Sequence, residues 1–199
     1  MSEHNIALEG GSSVRLKTAG KYCDRDIVVT ATGGGGNIDE LINRTVTEVS
    51  SNSGRINDYV FYGCTRLESI DLPAVTSIGS DAFYNCVALK SVEVPNVTSI
   101  GGSAFRLCTV LPSIDLPLTT SIGSNTFRNC GNLQSLILRS ETVCTLGTNV
   151  FTSTPIASGT GYIYVPSALV DSYKSETNWS TYAAQIRAIE DYPEITGGA

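Results

Sequence analysis

Between Ile56 and Phe151 the apolar residues return on a fixed schedule. Phe61, Phe83, Phe105 and Phe127 lie 22 residues apart, as do Cys64, Cys86, Cys108 and Cys130, and Leu67, Leu89, Leu111 and Leu133. A period of this length marks a stack of like supersecondary units, a solenoid, rather than a pocketed globule. Two patterns alternate inside each unit. Ala82, Phe83, Cys86 and Leu89 have the spacing of one helical face. Val92 and Val94 then point one way and Ser91 and Glu93 the other, the period of a strand. Pro95 ends that strand, as do Pro73 and Pro117, because proline has no N–H for a ladder. Val97 and Ile100 open a second short extended segment, and Gly101 is expected to permit the turn that restarts the unit. The pattern therefore predicts an α/β repeat.

The flanks do not share the period. Val14 to Lys17 and Ile27 to Thr30 read as the strands of a hairpin, with Thr18-Ala19-Gly20 and Cys23-Asp24 as turn residues. A lone hairpin is marginal, so it should dock on the chain or pair with another copy, giving a homo-oligomer. Gly33 to Gly36 form a linker. Asn37 to Arg44 read as a short helix and Thr45 to Val49 as a strand, together capping the stack. The last repeat departs: Phe127 to Phe151 spans 24 residues, with the two extra between Leu138 and Leu146. Arg139 stands where earlier units have proline, and Thr154 where cysteine is expected. From Gly161, Tyr162 to Val165 is a strand stopped by Pro166. Ser167 is expected to N-cap a helix over Ala168 to Lys174. A second helical stretch is expected over 178–189, whose Trp179, Tyr182, Ile186 and Ile189 would cover the open apolar end, followed by a tail over 191–199. The resulting division is a hairpin module with linker (1–36), an N-terminal cap (37–55), the repeats (56–157) and a strand with helical cap and tail (158–199).

Composition narrows the function. The chain has 199 residues, of which 41% are hydrophobic and only 16% charged, with a net charge of −6. That charge argues against nucleic acid or an anionic membrane as partner, since both need clustered Lys and Arg. No apolar run approaches the ~20 residues of a membrane span. Met1-Ser2-Glu3-His4-Asn5 has no basic or apolar region of a Sec-type signal peptide. The sole histidine, His4, leaves no Ser-His-Asp triad and no histidine partners for a metal. Gly33 to Gly36 lack the Lys-Ser/Thr ending of a phosphate loop. No cofactor is expected.

Three constellations remain. The cysteine column would stack at strand spacing, near disulfide distance; it reads either as a staple or as a set of small buried hydrophobes. Outward strand positions give an acidic column, Asp71, Glu93 and Asp115, beside a serine column, Ser69, Ser91, Ser113 and Ser135. They form either a binding stripe or a solvated face. Gln134 and Ile137 continue this face as a less charged patch. Paired carboxylates could suggest a glycosidase, but here they are repeats on a flat face with no pocket. Tyr59, Tyr62 and Tyr84 read as partly buried packing or as an aromatic patch.

Leu67-Glu68-Ser69-Ile70-Asp71-Leu72-Pro73-Ala74-Val75-Thr76-Ser77-Ile78-Gly79-Ser80-Asp81-Ala82-Phe83-Tyr84-Asn85-Cys86 closely resembles the BspA-like, or Treponema-type, leucine-rich repeat, and the resemblance covers about residues 56–157. It implies a right-handed solenoid with a parallel sheet on one face, and bacterial adhesion or interaction proteins at the cell surface, secreted or exposed. Residues 16–29 resemble a module of prophage tail-associated proteins of Firmicutes, and Tyr164-Val165-Pro166 with Val170 to Lys174 and Trp179 resemble the cap of many BspA-like chains. Two functions follow. One is a non-enzymatic recognition protein that binds a protein or glycan on a cell surface through Ser69, Asp71, Ser91, Glu93, Ser113, Asp115, Gln134 and Ile137. The other is a virion-associated structural or receptor-binding part of a phage or prophage tail.

Overall fold

The computed structural model describes residues 54–195 and the backbone of three short strands before them. In that earlier part β1 (Ser13–Arg15) pairs antiparallel with β2 (Ile27–Thr30), and β2 with β3 (Glu48–Ser51). The hairpin thus meets a third strand of its own chain. The expected linker at Gly33 to Gly36 and helix over Asn37 to Arg44, with Cys23 and most of the segment that resembles a prophage module, lie outside the described residues.

Each later coil contributes to two parallel ladders. One runs through the two-residue strands β4 (Arg55–Ile56), β6 (Ser77–Ile78), β8 (Ser99–Ile100), β10 (Ser121–Ile122) and β12 (Thr145–Leu146). The other begins with β5 (Ser69–Asp71) and β7 (Ser91–Glu93), which pair in parallel. Beside β7 lies β9 (Ser113–Leu116), followed in parallel order by β11 (Ser135–Leu138), β13 (Tyr162–Val165) and β14 (Ile186–Ala188). The alternation behaves as the sequence requires: Val92 and Val94 are buried, while Ser91 and Glu93 are exposed.

The third side of the coil is not the helix its spacing suggested. Its residues form consecutive turns, closed by bonds such as Cys86 N–H to Phe83 O and Leu89 N–H to Cys86 O. Every second N–H points at the next coil: Asp81 bonds Gly102 O at 2.9 Å, Phe83 bonds Ala104 O at 2.8 Å and Asn85 bonds Arg106 O at 2.8 Å. This is a backbone ladder, repeated coil after coil. It needs two left-handed residues per coil, four apart. They are Tyr59 and Gly63, Asp81 and Asn85, Ser103 and Leu107, Asn125 and Asn129, Asn149 and Ser153. Asn, Asp and Gly tolerate this region best. A helix would have turned the same bonds inward, leaving nothing for the neighbours.

Inside the triangle the phenylalanines stack. Successive rings from Phe61 through Phe83, Phe105 and Phe127 to Phe151 are nearly parallel, with centroids 4.9, 5.2, 5.7 and 6.1 Å apart. All are fully buried. Threonine hydroxyls add an outer ladder, Thr98 Oγ1 donating to Thr76 O and Thr120 Oγ1 to Thr98 O.

Gly101 has a different task from the one its position suggested. Its φ is not left-handed; a Cβ there would lie 2.5 Å from Ser80 N and 2.6 Å from Gly79 C, both backbone of the preceding coil. The same contact recurs at Gly79, Gly123 and Gly147. Glycine is needed so that adjacent coils can close up. Gly101→Ala should cost about 1–3 kcal/mol through overpacking. Urea unfolding would show it, and Gly131→Ala, whose nearest atom is Thr109 O at 3.9 Å, should not.

The C-terminal cap substitutes for a further coil. In the body, Thr120 O accepts Thr145 N–H and Ile122 O accepts Gly147 N–H. One coil later the corresponding acceptors face side chains: Cys144 O takes Trp179 Nε1 at 2.6 Å and Leu146 O takes Asn178 Nδ2 at 2.6 Å. Cys144 N–H donates to the Tyr173 hydroxyl at 2.9 Å, and the Tyr182 hydroxyl is hydrogen-bonded to the Phe151 backbone. Thr154, in the cysteine position, accepts Ala157 N–H and N-caps α1 (Pro155–Ser158), which ends at Gly159 with φ 87°.

Three expectations here are corrected. Ser167 is no N-cap: it begins a 3-10 turn ahead of α2 (Val170–Ser175), and its N–H donates to the Glu190 carboxylate at 2.9 Å. The second helical stretch is a 3-10 segment over Ser180–Gln185, and Ile186–Ala188 instead joins the sheet as β14, where it extends the ladder from β13. Trp179 and Ile186 join the main core, but Ile189 does not; it packs with Ile137 and Tyr164 on the outer face of the sheet.

Candidate functional site

Strand register brings the outward residues into columns. Ser69 faces Ser91 and Asp71 faces Glu93 across β5 and β7. Ser113, Ser135 and Tyr162 align across β9, β11 and β13. Asp115, Ile137, Tyr164 and Arg187 align from β9 to β14. The second column thus changes from acidic to apolar, aromatic and basic.

The two halves of this face differ. Asp71, Ser91, Glu93 and Ser113 are exposed and Ser69 half-buried. Asp115 is half-buried and held by Arg139, whose Nε and Nη2 reach both carboxylate oxygens at 2.8–3.1 Å. The acidic column therefore has two open carboxylates and one clamped. Gln134 is exposed and Ser135 half-buried. Ile137, expected to face a partner, is only 8% exposed. Ile189, Tyr192 and Ile195 lie over it and Tyr164. Tyr164 and Tyr192 meet edge to face with centroids 5.1 Å apart, and Arg187 stacks over Tyr162 at 4.8 Å. Residues 189–195 are not a loose tail. An outward apolar residue on an otherwise polar face was the signal that something had to cover it.

The cysteine column holds free thiols. Cys86, Cys108 and Cys130 donate S–H to the carbonyls of Phe61, Phe83 and Phe105 at 3.2, 3.3 and 3.1 Å, tying each coil to the one before. Burial pushes the Cys64 thiol up to about 11, and those of Cys130 and Cys144 to about 12. In the unfolded chain these thiols ionise near 9, so between about 9 and 12 the folded state holds more protons. Stability should therefore fall as pH rises above 9. Urea unfolding at pH 7.5 and 10.5 checks this, and equal midpoints would refute it.

On the turn side Tyr59 and Tyr62 are 42% and 51% exposed. Tyr62 stacks on Tyr84 at 4.7 Å, and Arg106 lies 5.5 Å from the Tyr84 ring. Among the described residues no group of His, Cys, Asp and Glu is placed to hold a metal, and no helix is long and apolar enough to cross a membrane.

Stacked coils with parallel ladders and one outward-facing sheet define a leucine-rich repeat scaffold. The family model described as BspA type leucine rich repeat region matches residues 41–160 in six copies, and the chain belongs to that family. It is similar in structure to the leucine-rich repeat protein of T. pallidum, with 27% identity, 73% of this chain and 67% of that chain covered, and a TM-score of 0.55. A leucine-rich cell surface protein of Faecalibacterium prausnitzii A2-165 also matches, with 28% identity, 75% and 44% coverage and a TM-score of 0.49. So does a leucine-rich repeat protein of Bacteroides ovatus ATCC 8483, with 26% identity, 72% and 42% coverage and a TM-score of 0.49. The chain spans less than half of those two proteins. Comparison with curated proteins gives no match.

Proposed function

We propose that the chain is a non-enzymatic recognition protein that binds a protein or glycan partner at a bacterial cell surface. The binding surface is the open half of the sheet, made by Ser69, Asp71, Ser91, Glu93 and Ser113. One observation carries this reading: Asp71, Ser91, Glu93 and Ser113 are exposed on the sheet beside the half-buried Ser69, while the other half of the same face is closed by the chain itself. A flat face of hydroxyls with two carboxylates suits hydrogen bonding to a partner that brings positive charge. Membership of a repeat family whose units stack into extended surfaces supports it.

The test is binding of the full chain to arrays of host-surface proteins and glycans, beside the double variant Asp71→Asn, Glu93→Gln. Affinity for the partners found should fall about tenfold, the equivalent of about 1.4 kcal/mol, and more at low salt. Unchanged binding would sink the assignment to this face.

A further inference from the structure

The residues that break the repeat on the sheet face converge on one contact. Ile137 interrupts the acidic column, Arg139 replaces a proline, and Tyr164 follows in the same row. All three meet residues 189–195. That segment crosses the strands in order. Ile189 follows β14, Tyr192 rests on Tyr164 of β13, and the Ile195 carbonyl oxygen accepts a hydrogen bond from Arg139 Nη2 at 3.2 Å, beside Asp115 of β9. The next strands in that direction are β7 and β5, with Glu93 and Asp71 open.

The segment is anchored at Ile189 and at Glu190, which accepts Ser167 N–H, and its remainder is only partly buried. Its own backbone bonds, Tyr192 N–H to Ile189 O and Ile195 N–H to Tyr192 O, are internal. Pro193 and Glu194 are exposed, and Tyr192 and Ile195 only half-buried. The side chains of Thr196, Gly197, Gly198 and Ala199 carry no charge.

We infer that the sheet face is a peptide-binding surface whose apolar half is occupied in cis by residues 189–195. The partner it fits is an extended protein segment in which an aromatic and an aliphatic residue are followed by basic ones. The first pair replaces Tyr192 and Ile195 over Ile137 and Tyr164; the basic residues reach Glu93 and Asp71. The inference rests on the sheet face being the binding surface, and it names the partner's chemistry and the segment that competes with it.

The probe is a labelled peptide, Ile-Glu-Asp-Tyr-Pro-Glu-Ile-Lys-Gly-Lys, followed by fluorescence anisotropy at low salt. The full-length variant Tyr192→Ala, Ile195→Ala should bind it about tenfold more tightly than the parent chain, and adding Asp71→Asn and Glu93→Gln should remove that gain. A peptide with Glu in place of both Lys should bind more weakly. In the unaltered chain, saturating peptide should speed hydrogen exchange at the Tyr192 and Ile195 amides, a readout that needs no variant. Equal affinity of variant and parent with unchanged exchange overturns the cis occupancy. If the peptide then still responds to Asp71→Asn and Glu93→Gln, the open face survives as the binding surface. Binding to neither form overturns the peptide chemistry and leaves the array result to decide the face. A parent chain that dimerises and ignores the peptide also overturns it, in favour of a second copy as occupant.

Discussion

Phe105→Ala is expected to lower stability by about 3–5 kcal/mol, the usual cost of emptying a large buried aromatic site. The ring sits in the middle of the phenylalanine stack, between Phe83 at 5.2 Å and Phe127 at 5.7 Å, and is fully buried. Its removal leaves a hole that opens onto two coils. Collapse is opposed from outside the cavity. Phe105 N–H is held by Thr126 O at 3.0 Å, and its carbonyl accepts both Cys108 N–H and the Cys130 thiol at 3.1 Å. The backbone therefore cannot move in to fill the space. At roughly 2–4 °C per kcal/mol for a chain of this size, the melting temperature should drop by roughly 6–20 °C. Differential scanning calorimetry measures it, and an unchanged melting curve would contradict the stacked core. Phe105→Leu keeps most of the volume and should recover most of the loss.

Trp179→Ala should rival that effect from the other end of the array. The indole is fully buried, meets Tyr173 edge to face at 5.0 Å and lies over Phe151 at 6.2 Å. Truncation costs about 3–5 kcal/mol for the lost ring. It also leaves Cys144 O without its donor, in a place where the body of the array would supply a backbone N–H. Trp179→Phe separates the two contributions. It keeps much of the ring and loses the donor, and should cost about 1–3 kcal/mol. If Trp179→Phe proved neutral while Trp179→Ala did not, the cap would act by covering the core and not by completing the ladder. Opening should start at the last coil, since each coil leans only on its neighbours. Hydrogen exchange at Phe127 and Asn129, whose N–H groups bond Val150 O and Thr152 O, would report it first.

Much of this architecture can be read from the chain. Period and alternation together place Phe83, Cys86, Leu89, Val92 and Val94 inside, and Ser91 and Glu93 outside, because burial and strand pleat leave little choice. The third side shows where such reading stops. Spacings of three and four residues satisfy a helix and a run of turns equally, since both put Ala82, Phe83, Cys86 and Leu89 on the inner side. What separates them is backbone conformation. Asp81, Asn85, Asn125, Asn129 and Asn149 carried that signal, as residues that accept positive φ where a helix interior would not favour them. The glycines misled for a related reason. Gly101 is required by the backbone of another coil, a constraint invisible to any local window. On the sheet face the open carboxylates were legible, and the covered half was not. Ile137 gave notice of a cover, but its source, 52 positions later at Ile189, depends on β14 bringing the chain back to the edge of the sheet.

The three backbone ladders have a consequence for how such a protein can change over generations. Coils are bonded to their neighbours along these ladders, so a residue gained or lost within one would throw the later bonds out of step. The two additional residues of the last repeat sit between β11 and β12, at a corner that bonds to no neighbouring strand. Elsewhere length is a whole-number quantity. The scaffold can grow or shrink by duplicating or deleting complete coils, carrying its existing cap along, and point substitutions on the outward strand positions can then vary what it grips without renegotiating how it folds.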